Sequence, residues 1–378
     1  MPGKLRYLLA FLLFVALNCP GQTQASPLPG VPESRFDHLR HGINLSHWFG
    51  QSPTGTYDAQ RLTTYITARD FDLIKSMGFD HVRLTLEPAQ LLTPSQPDKL
   101  EPQHLKLLDD AVQMVLSHGL AVIIDIHPSG DFNRKLATDQ RQVEAFTDFW
   151  RSLARHYSDT DPERVFFEVL NEPEMGDGYR WYGMEAQFIT IIRSVAPRHT
   201  IIASGHNWSG LSDLLALEPF ADPNVVYNFH YYDPATFTHQ GATWGMELWH
   251  HLPRVHYPSH PGADANLIQS LPLFTQKIQL VHYDQDRWGP ERIDADMSMV
   301  AAWAAAHHVR VTCNEFGVFR NFADPDERAA WIHDVRTSLE KHDIGWTMWD
   351  YADSFGVVTG DPGKRVPDER VLKALGLK

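Results

Sequence analysis

Cysteine is scarce in this sequence, which has only Cys19 and Cys313 among its 378 residues. Cys19 lies in an N-terminal segment that we predict to be removed, so Cys313 alone remains in the mature chain. One cysteine cannot form an intrachain disulfide or a multi-cysteine metal site. The stability of the fold must therefore come from an apolar core, for which 43% hydrophobic residues in a chain of this length are sufficient.

Long apolar runs are also missing, apart from one near the N terminus. Lys4 and Arg6 precede the apolar residues 8–17, and Thr23-Gln24-Ala25 offers small residues where a signal peptidase cleaves. This run of about ten residues is shorter than the roughly 20 that a membrane-spanning helix needs. We therefore predict a signal peptide over residues 1–25, cleaved near Ala25, and a mature protein that is secreted or periplasmic and not stably inserted in a membrane.

Two alternatives to cleavage concern the same segment. An uncleaved membrane anchor is disfavoured by the short apolar run. Lipid attachment at Cys19 is disfavoured because Asn18 lies where the attachment motif needs a small residue.

Positive charge is in deficit, with 33 Lys and Arg residues against 47 Asp and Glu residues. The formal net charge of −14 becomes about −16 once Lys4 and Arg6 are removed. An acidic surface argues against binding to nucleic acid or anionic membranes and suits a neutral partner.

Several motifs of other protein classes are absent. The chain has neither G-x-G-x-x-G nor G-x-x-x-x-G-K-[ST], which would cradle a phosphate, and no H-E-x-x-H metal motif. It also lacks internal repeats, low-complexity tracts and a Ser/Pro linker to a separate binding module. We therefore predict one catalytic domain over residues 26–378.

What the sequence does contain is a regular alternation of short apolar runs and longer segments with helical spacing. Near-continuous apolar strands predict a sheet that is covered on both faces, and eight strand–helix units in about 340 residues match a closed (β/α)8 TIM barrel, an α/β fold. An open doubly wound sheet is the alternative, but it usually carries a Gly-rich phosphate turn. The eight predicted strands span residues 41–46, 81–86, 121–126, 165–170, 200–204, 225–230, 309–314 and 345–350.

One long region does not follow this alternation. Residues 233–291, rich in Pro, His and aromatic residues, separate the sixth predicted strand from its helix. We predict an irregular loop here, and loops of this length are usually functional or disordered.

Polar residues recur where the predicted strands end, which is where a barrel of this type has its active site. Glu172 and Glu315 follow the fourth and seventh strands, on roughly opposite sides of the barrel mouth. Glycoside hydrolysis needs such a pair, one carboxyl to protonate the leaving oxygen and another to act as nucleophile or base. The other polar or aromatic residues at strand ends are Arg83, His127, Asn171, His230, Tyr232, Asn314, Trp349 and Asp350.

The segments HGINLSHWF, HVRLTLEP, VIIDIH, FEVLNEPE, VTCNEFGVF and WTMWDYADSFGV together resemble glycoside hydrolase family 5, the cellulase family of retaining (β/α)8 glycosidases, over most of residues 41–358. The resemblance implies Glu172 as general acid/base and Glu315 as nucleophile, with no metal or cofactor. It also implies sugar contacts at the cleavage point from Arg83, His127, Asn171, His230, Tyr232 and Trp349. Pro128 departs from relatives that carry a second His or an Asn there.

The substrate is predicted from aromatic residues and from one further resemblance. Trp48, Trp208 and Trp244 lie in predicted loops after strands and are expected to stack on sugar rings, with core packing as the alternative. FTHQGATW resembles a stretch of bacterial endo-β-1,4-glucanases in this family, so we expect cleavage of cellulose or mixed-linkage β-glucan. We also expect the protein to be a monomer. Mannan, xyloglucan and β-1,3-glucan remain alternative substrates. A non-catalytic carbohydrate-binding barrel and a metal hydrolase are the alternative classes.

Overall fold

Eight parallel strands form a closed barrel in the computed structural model, which describes residues 30–93, 96, 98–250 and 252–378. The predicted signal peptide lies outside these residues. Each strand pairs with its neighbours in the chain, and β1 pairs with both β2 and β8, which closes the barrel. The predicted (β/α)8 barrel is therefore confirmed. The strands are β1 (His41–Leu45), β2 (His81–Leu86), β3 (Ala121–Ile126), β4 (Val165–Glu168), β5 (Thr200–Ser204), β6 (Val225–Tyr231), β7 (Arg310–Phe316) and β8 (Gly345–Met348).

Helices cover the outside of the barrel, and a short antiparallel pair, β9 (Val358–Thr359) and β10 (Val366–Pro367), follows β8. Short 3-10 turns lie at Pro88–Gln90 and Glu247–Trp249. The helices are α1 (Glu33–Asp37), α2 (Ala59–Thr64), α3 (Ala68–Met77), α4 (Pro102–Ser117), α5 (Gly130–Thr138), α6 (Gln140–His156), α7 (Gly178–Val195), α8 (Leu211–Leu215), α9 (Ala235–Thr238), α10 (Ala265–Ser270), α11 (Phe274–Asp286), α12 (Pro290–His307), α13 (Pro325–Lys341) and α14 (Glu369–Ala374).

Helix α3 shows why these segments begin and end where they do. Thr67 and Asp70 form a capping box at its start, and Gly78 ends it with φ +100° in the left-handed region. A cap of this kind contributes about 1 kcal/mol. Asp70 also accepts hydrogen bonds from the Tyr351 hydroxyl and Arg365, so the same carboxylate attaches α3 to the segment that follows β8.

The barrel interior changes from apolar to polar along the strands. Alternate residues of a strand face the same side, so Ile123 and Asp125 of β3 lie one above the other inside the barrel, as do Phe166 and Glu168 of β4. The lower, apolar layer is closed from below by Phe36 of helix α1, and the whole cluster is buried. The upper layer is polar and leads to the carboxyl ends of the strands.

The region between β6 and α12 differs from its prediction. Residues 233–291 hold three helices, α9 to α11, and a 3-10 turn, so the prediction of an irregular loop is wrong. The buried residues of α11 are Gln276, Leu280, Tyr283 and Asp284, and this mixture leaves no apolar stripe for sequence periodicity to detect. None of the helices in the described ranges is long and apolar enough to cross a membrane.

Candidate active site

Arg83 lies in the middle of β2 rather than at its end, and it is fully buried at the centre of the polar layer, so the predicted sugar contact of Arg83 is corrected. Its Nε and Nη2 donate to the two oxygens of Glu168, at 2.9 and 2.7 Å. Nη1 donates to Asn44 Oδ1 at 2.9 Å and to Glu315 Oε1 at 2.8 Å, and Nη2 also donates to Asn171 Oδ1 at 2.7 Å. These five contacts use every N–H donor that a guanidinium has. The arginine therefore links β1, β4, the segment just after β4, and β7 in one rigid arrangement.

Glu315, near the end of β7, is buried with both oxygens occupied. Oε1 accepts from Arg83, and Oε2 accepts from the Tyr232 hydroxyl at 2.9 Å. Burial raises the pKa of Glu315, and the Glu172 charge adds to that rise, whereas His230 and Arg83 oppose it. Burial also raises the pKa of the Tyr232 phenol well above its ordinary value, so this hydroxyl stays a donor. Two donors thus stabilise the ionised form of Glu315 in a place that water barely reaches.

Glu172 follows β4, and its side chain remains 22% exposed to the cleft. Burial, with smaller contributions from Asp125 and Glu174, raises the pKa of Glu172 to about 8 against the opposing charge of Arg83. Its Oε1 lies 2.8 Å from His230 Nδ1. The carboxyl is therefore protonated at neutral pH.

The backbone at Glu172 is in the left-handed region, with φ +40°, which is uncommon for a residue other than glycine. The side chain of Asn133 donates to the Glu172 carbonyl oxygen at 3.2 Å and helps to hold this conformation. Strained backbone of this kind clusters at functional sites. It turns the Glu172 side chain away from the strand direction and into the cleft.

The two glutamates are close together. One ligand atom each of Glu172, His230 and Glu315 lies within 4.8 Å of the others. A group of this size could hold a metal ion, but both oxygens of Glu315 already accept hydrogen bonds, and the positive charge of Arg83 lies beside it. A close pair of one ionised and one protonated carboxyl fits proton transfer and nucleophilic attack better than metal binding.

His127 lies on the floor of the cleft, at the end of β3. Its Nδ1 is 3.0 Å from Asp125 Oδ2, and its Nε2 is 3.2 Å from the side-chain nitrogen of Asn171. The Trp349 ring stacks on the imidazole, with ring centres 5.7 Å apart. Burial lowers the pKa of His127 to about 3, so the ring is neutral. The structure thus brings His127, Asn171 and Trp349 together, with Asn171 also bonded to Arg83.

The three tryptophans predicted to stack on sugars have different surroundings. Trp48 is only 2% exposed, and its Nε1–H donates to the Leu62 carbonyl, so it belongs to the core and the prediction is corrected. Trp208 is 53% exposed, and its backbone N–H donates to Pro173, next to Glu172. Trp244 is 47% exposed and makes edge contact with Phe319. Trp208 and Trp244 are therefore both accessible to solvent.

Four polar residues inside the strands were missed, because sequence reasoning considered only the strand ends. Each interrupts an apolar strand, and this interruption was the available signal. Asp125 and Asn228 precede His127 and His230 by two residues, which places each pair on the same face of its strand. The four residues are Asn44, Asp125, Glu168 and Asn228, all buried.

A (β/α)8 barrel whose mouth holds two such carboxyls defines an O-glycosyl hydrolase. The model of the cellulase family, glycosyl hydrolase family 5, matches residues 42–354, and the chain belongs to this family. Endoglucanase C of Acetivibrio thermocellus is 28% identical over 339 residues, covering 88% of this chain and 97% of that protein.

Solved structures agree with this assignment. Thermotoga maritima Cel5A in complex with cellobiose is 26% identical, with a TM-score of 0.73. The same enzyme in complex with mannotriose is 25% identical, with a TM-score of 0.74. Each comparison covers 91% of this chain and 99% of that one.

Proposed function

We propose that this protein is a retaining endo-β-1,4-glucanase that cleaves cellulose or mixed-linkage β-glucan. The observation that carries the proposal is the short separation of Glu172 and Glu315, whose nearest ligand atoms lie within 4.8 Å. Retaining glycosidases have carboxyls about 5 to 5.5 Å apart, whereas inverting enzymes leave room for a water between them. The similarity to endoglucanase C supports the choice of reaction, because the match extends over 97% of that protein.

In the first step, Glu315 attacks the anomeric carbon while Glu172 donates its proton to the glycosidic oxygen. The bond to the leaving sugar breaks, and a glycosyl ester of Glu315 forms. The raised pKa of Glu172 supplies the proton at neutral pH. Glu315 loses its charge when the ester forms. Tyr232 and Arg83 stay in place and stabilise the carboxylate again when the ester is hydrolysed.

In the second step, a water molecule attacks the same carbon. Glu172, now ionised, takes a proton from this water, and Glu315 leaves as a carboxylate. Glu315 and the water attack the anomeric carbon from opposite faces, one after the other. Each attack inverts the configuration, so the product retains the configuration of the substrate.

The residues around the pair have separate tasks in this proposal. Asn171, His127, His230 and Trp349 contact the sugar at the cleavage point. Trp208 and Trp244, outside that ring of residues, offer apolar faces on which neighbouring sugar rings can stack.

The sequence also supports expectations about export, oligomeric state, cofactors and partners. We expect residues 1–25 to be removed during export and residues 26–378 to act as a monomeric catalytic domain. The reaction requires no metal or cofactor, and the acidic chain suits an uncharged polysaccharide rather than nucleic acid or a membrane surface.

Mannan is the second candidate substrate, because the Thermotoga maritima relative was solved with mannotriose as well as with cellobiose. The two polymers differ in the orientation of the sugar 2-hydroxyl.

The test is the release of reducing ends by the mature protein from carboxymethylcellulose, barley β-glucan, xyloglucan, mannan and laminarin. Activity on the first two that is lost in Glu315→Gln supports the proposal. Activity confined to mannan moves the assignment to the second candidate. No activity on any of the five contradicts the proposal and leaves a carbohydrate-binding barrel as the better interpretation.

A further inference from the structure

Besides Glu315, Arg83 bonds to a buried carboxylate that lies deeper in the barrel. Glu168, on β4, is 1% exposed, so it cannot touch a substrate. Its two oxygens receive parallel hydrogen bonds from Nε and Nη2 of Arg83. Asn314 also donates to Oε2 at 2.7 Å, and Asn228 donates to Oε1 at 3.4 Å. Glu168 is therefore held from both sides, by the arginine and by the amides of Asn228 on β6 and Asn314 on β7, which meet it across the barrel interior.

This pairing limits the number of hydrogen bonds that Arg83 can donate to Glu315. A bidentate pair between a guanidinium and a carboxylate is the strongest geometry available to arginine, and here Glu168 occupies it. Of the two hydrogens on Nη1, one goes to Asn44 and the other to Glu315. Glu315 therefore receives a single hydrogen bond from an arginine that could otherwise give it two.

The difference matters for a nucleophile. One charge-assisted bond favours the ionised carboxylate. A bidentate pair would favour it further, but it would also bind the charge and lone pairs that must be given to the anomeric carbon. When Arg83 is shared with Glu168, Glu315 receives enough positive charge to ionise but keeps lone pairs free to attack the anomeric carbon.

Other charged groups near Arg83 do not replace Glu168. Asp125 Oδ2 lies 3.1 Å from Nη2, but burial raises the pKa of Asp125 to about 7, so it competes weakly for the positive charge. His230 and Glu172 face Glu315 from the cleft side, and Tyr232 donates to its other oxygen. Among these groups, Glu168 makes the only bidentate contact with the guanidinium.

We propose that Glu168 is a positioning residue. By occupying the paired Nε and Nη2 donors of Arg83, it prevents a bidentate bond between Arg83 and Glu315, so that Glu315 is ionised yet remains a strong nucleophile. This inference rests on the proposed role of Glu315. It assigns a function to a residue that lies below the cleft.

The test is Glu168→Gln, which removes the charge and keeps the shape. The substrate is a 2,4-dinitrophenyl cellobioside, whose leaving group needs no proton from Glu172, so the kinetics report on attack by Glu315. Arg83 should then turn toward Glu315. We expect kcat/KM to fall about 10- to 100-fold with KM changed less than about threefold, because reactivity is lost rather than binding. The acid limb of kcat/KM should move to lower pH, because Glu315 becomes easier to ionise.

The direction of the pH shift separates this proposal from simple structural damage. If Glu168 merely supported the fold, its loss would free Arg83 from the site, and the acid limb would move to higher pH. An unchanged or raised acid limb overturns the proposal. A crystal structure of the variant in which Arg83 keeps its single bond to Glu315 does the same.

Glu185→Gln is the control for replacing a buried glutamate without removing a charge, since burial raises the pKa of Glu185 well above its ordinary value. Glu185 on α7 is as buried as Glu168, and its Oε1 accepts from the Ser204 backbone N–H at 2.9 Å rather than from a site residue. We expect this variant to keep the wild-type kcat/KM and pH profile. An equal effect in both variants would mean that any buried glutamate matters, and the proposal would fail.

Asn44→Ala is the second variant, in case Glu168→Gln does not fold. It frees one Nη1 hydrogen for Glu315, so the same changes are expected with smaller size, and their absence counts against the proposal. The outcome is separable from that of the proposed function. A wild-type enzyme without activity on any glycan contradicts the function, whereas an active wild type with an equally active Glu168→Gln contradicts only the role of Glu168.

Discussion

The two ends of the barrel both carry arginines that bridge two carboxylates, but their surroundings are opposite. At the amino-terminal end, Arg40 bonds to Glu33 and Asp343, and the three side chains are 30–58% exposed. At the carboxyl end, Arg83 bonds to Glu168 and Glu315, and none of these side chains is more than 5% exposed. The same chemical groups thus meet in water at one end and in protein at the other.

The titration of the carboxylates shows what this difference does. At Asp343, partial burial is outweighed by the hydrogen bonds and charges of Arg40 and Arg310, and the pKa is lowered. At Glu315, burial dominates, and the pKa is raised despite Arg83. An arginine partner therefore does not determine the pKa of a carboxylate by itself, since the loss of water can be the larger contribution.

The largest effect is expected when Arg83 is replaced. Arg83→Met leaves Glu168 and Glu315 buried without a cation, and the free energy of unfolding should fall by about 3 to 5 kcal/mol. Denaturant unfolding at neutral pH measures this change. The loss should shrink at low pH, where the stranded carboxyls become protonated. A loss below about 1 kcal/mol would mean that the buried cluster behaves like a surface pair.

The next effect concerns Glu172, whose pKa burial raises to about 8. Glu172→Ala removes the proton donor, and hydrolysis of β-glucan should fall by about 10²- to 10⁴-fold. Azide should partly restore turnover of a substrate with a good leaving group, because it attacks the glycosyl ester in place of activated water. Glu174→Ala, two residues further along, is the control and should keep most of the activity. Failure of azide to rescue would weaken the acid/base role of Glu172.

A smaller effect is expected from pH alone. Burial raises the pKa of Glu172 to about 8, and the proton must be present, so activity on β-glucan should fall as pH rises through that value. Each further pH unit should cost roughly tenfold in kcat/KM. A dinitrophenyl cellobioside should lose this alkaline limb, since its leaving group needs no proton. An alkaline limb that persists with this substrate would assign it to another group.

The smallest effect is expected at the exposed end. Arg40→Met removes the same side chain as Arg83→Met does, but water screens the charges that remain, and the free energy of unfolding should change by less than about 1 kcal/mol. Hydrolysis should be unchanged. A loss as large as that of Arg83→Met would break the contrast between the two ends.

Much of the fold and of the candidate site could be predicted from sequence, because apolar strands and polar strand ends are both local patterns. The eight strands appear at the predicted positions, and Glu172 and Glu315 lie close together at the barrel mouth. Glu168 and Asp125 were not predicted, because their importance depends on which side chains meet inside the closed barrel. Trp48 follows β1 in the sequence, yet the chain folds it back into the core, a tertiary effect that no local pattern contains.

Helix α1 has a consequence for protein engineering. Phe36 and Leu39, which precede the first strand, pack against Ile123 and Phe166 inside the barrel. The segment 30–40 is therefore not a disposable spacer. A fusion junction at His41 would remove the floor of the barrel and admit solvent beneath the catalytic layer.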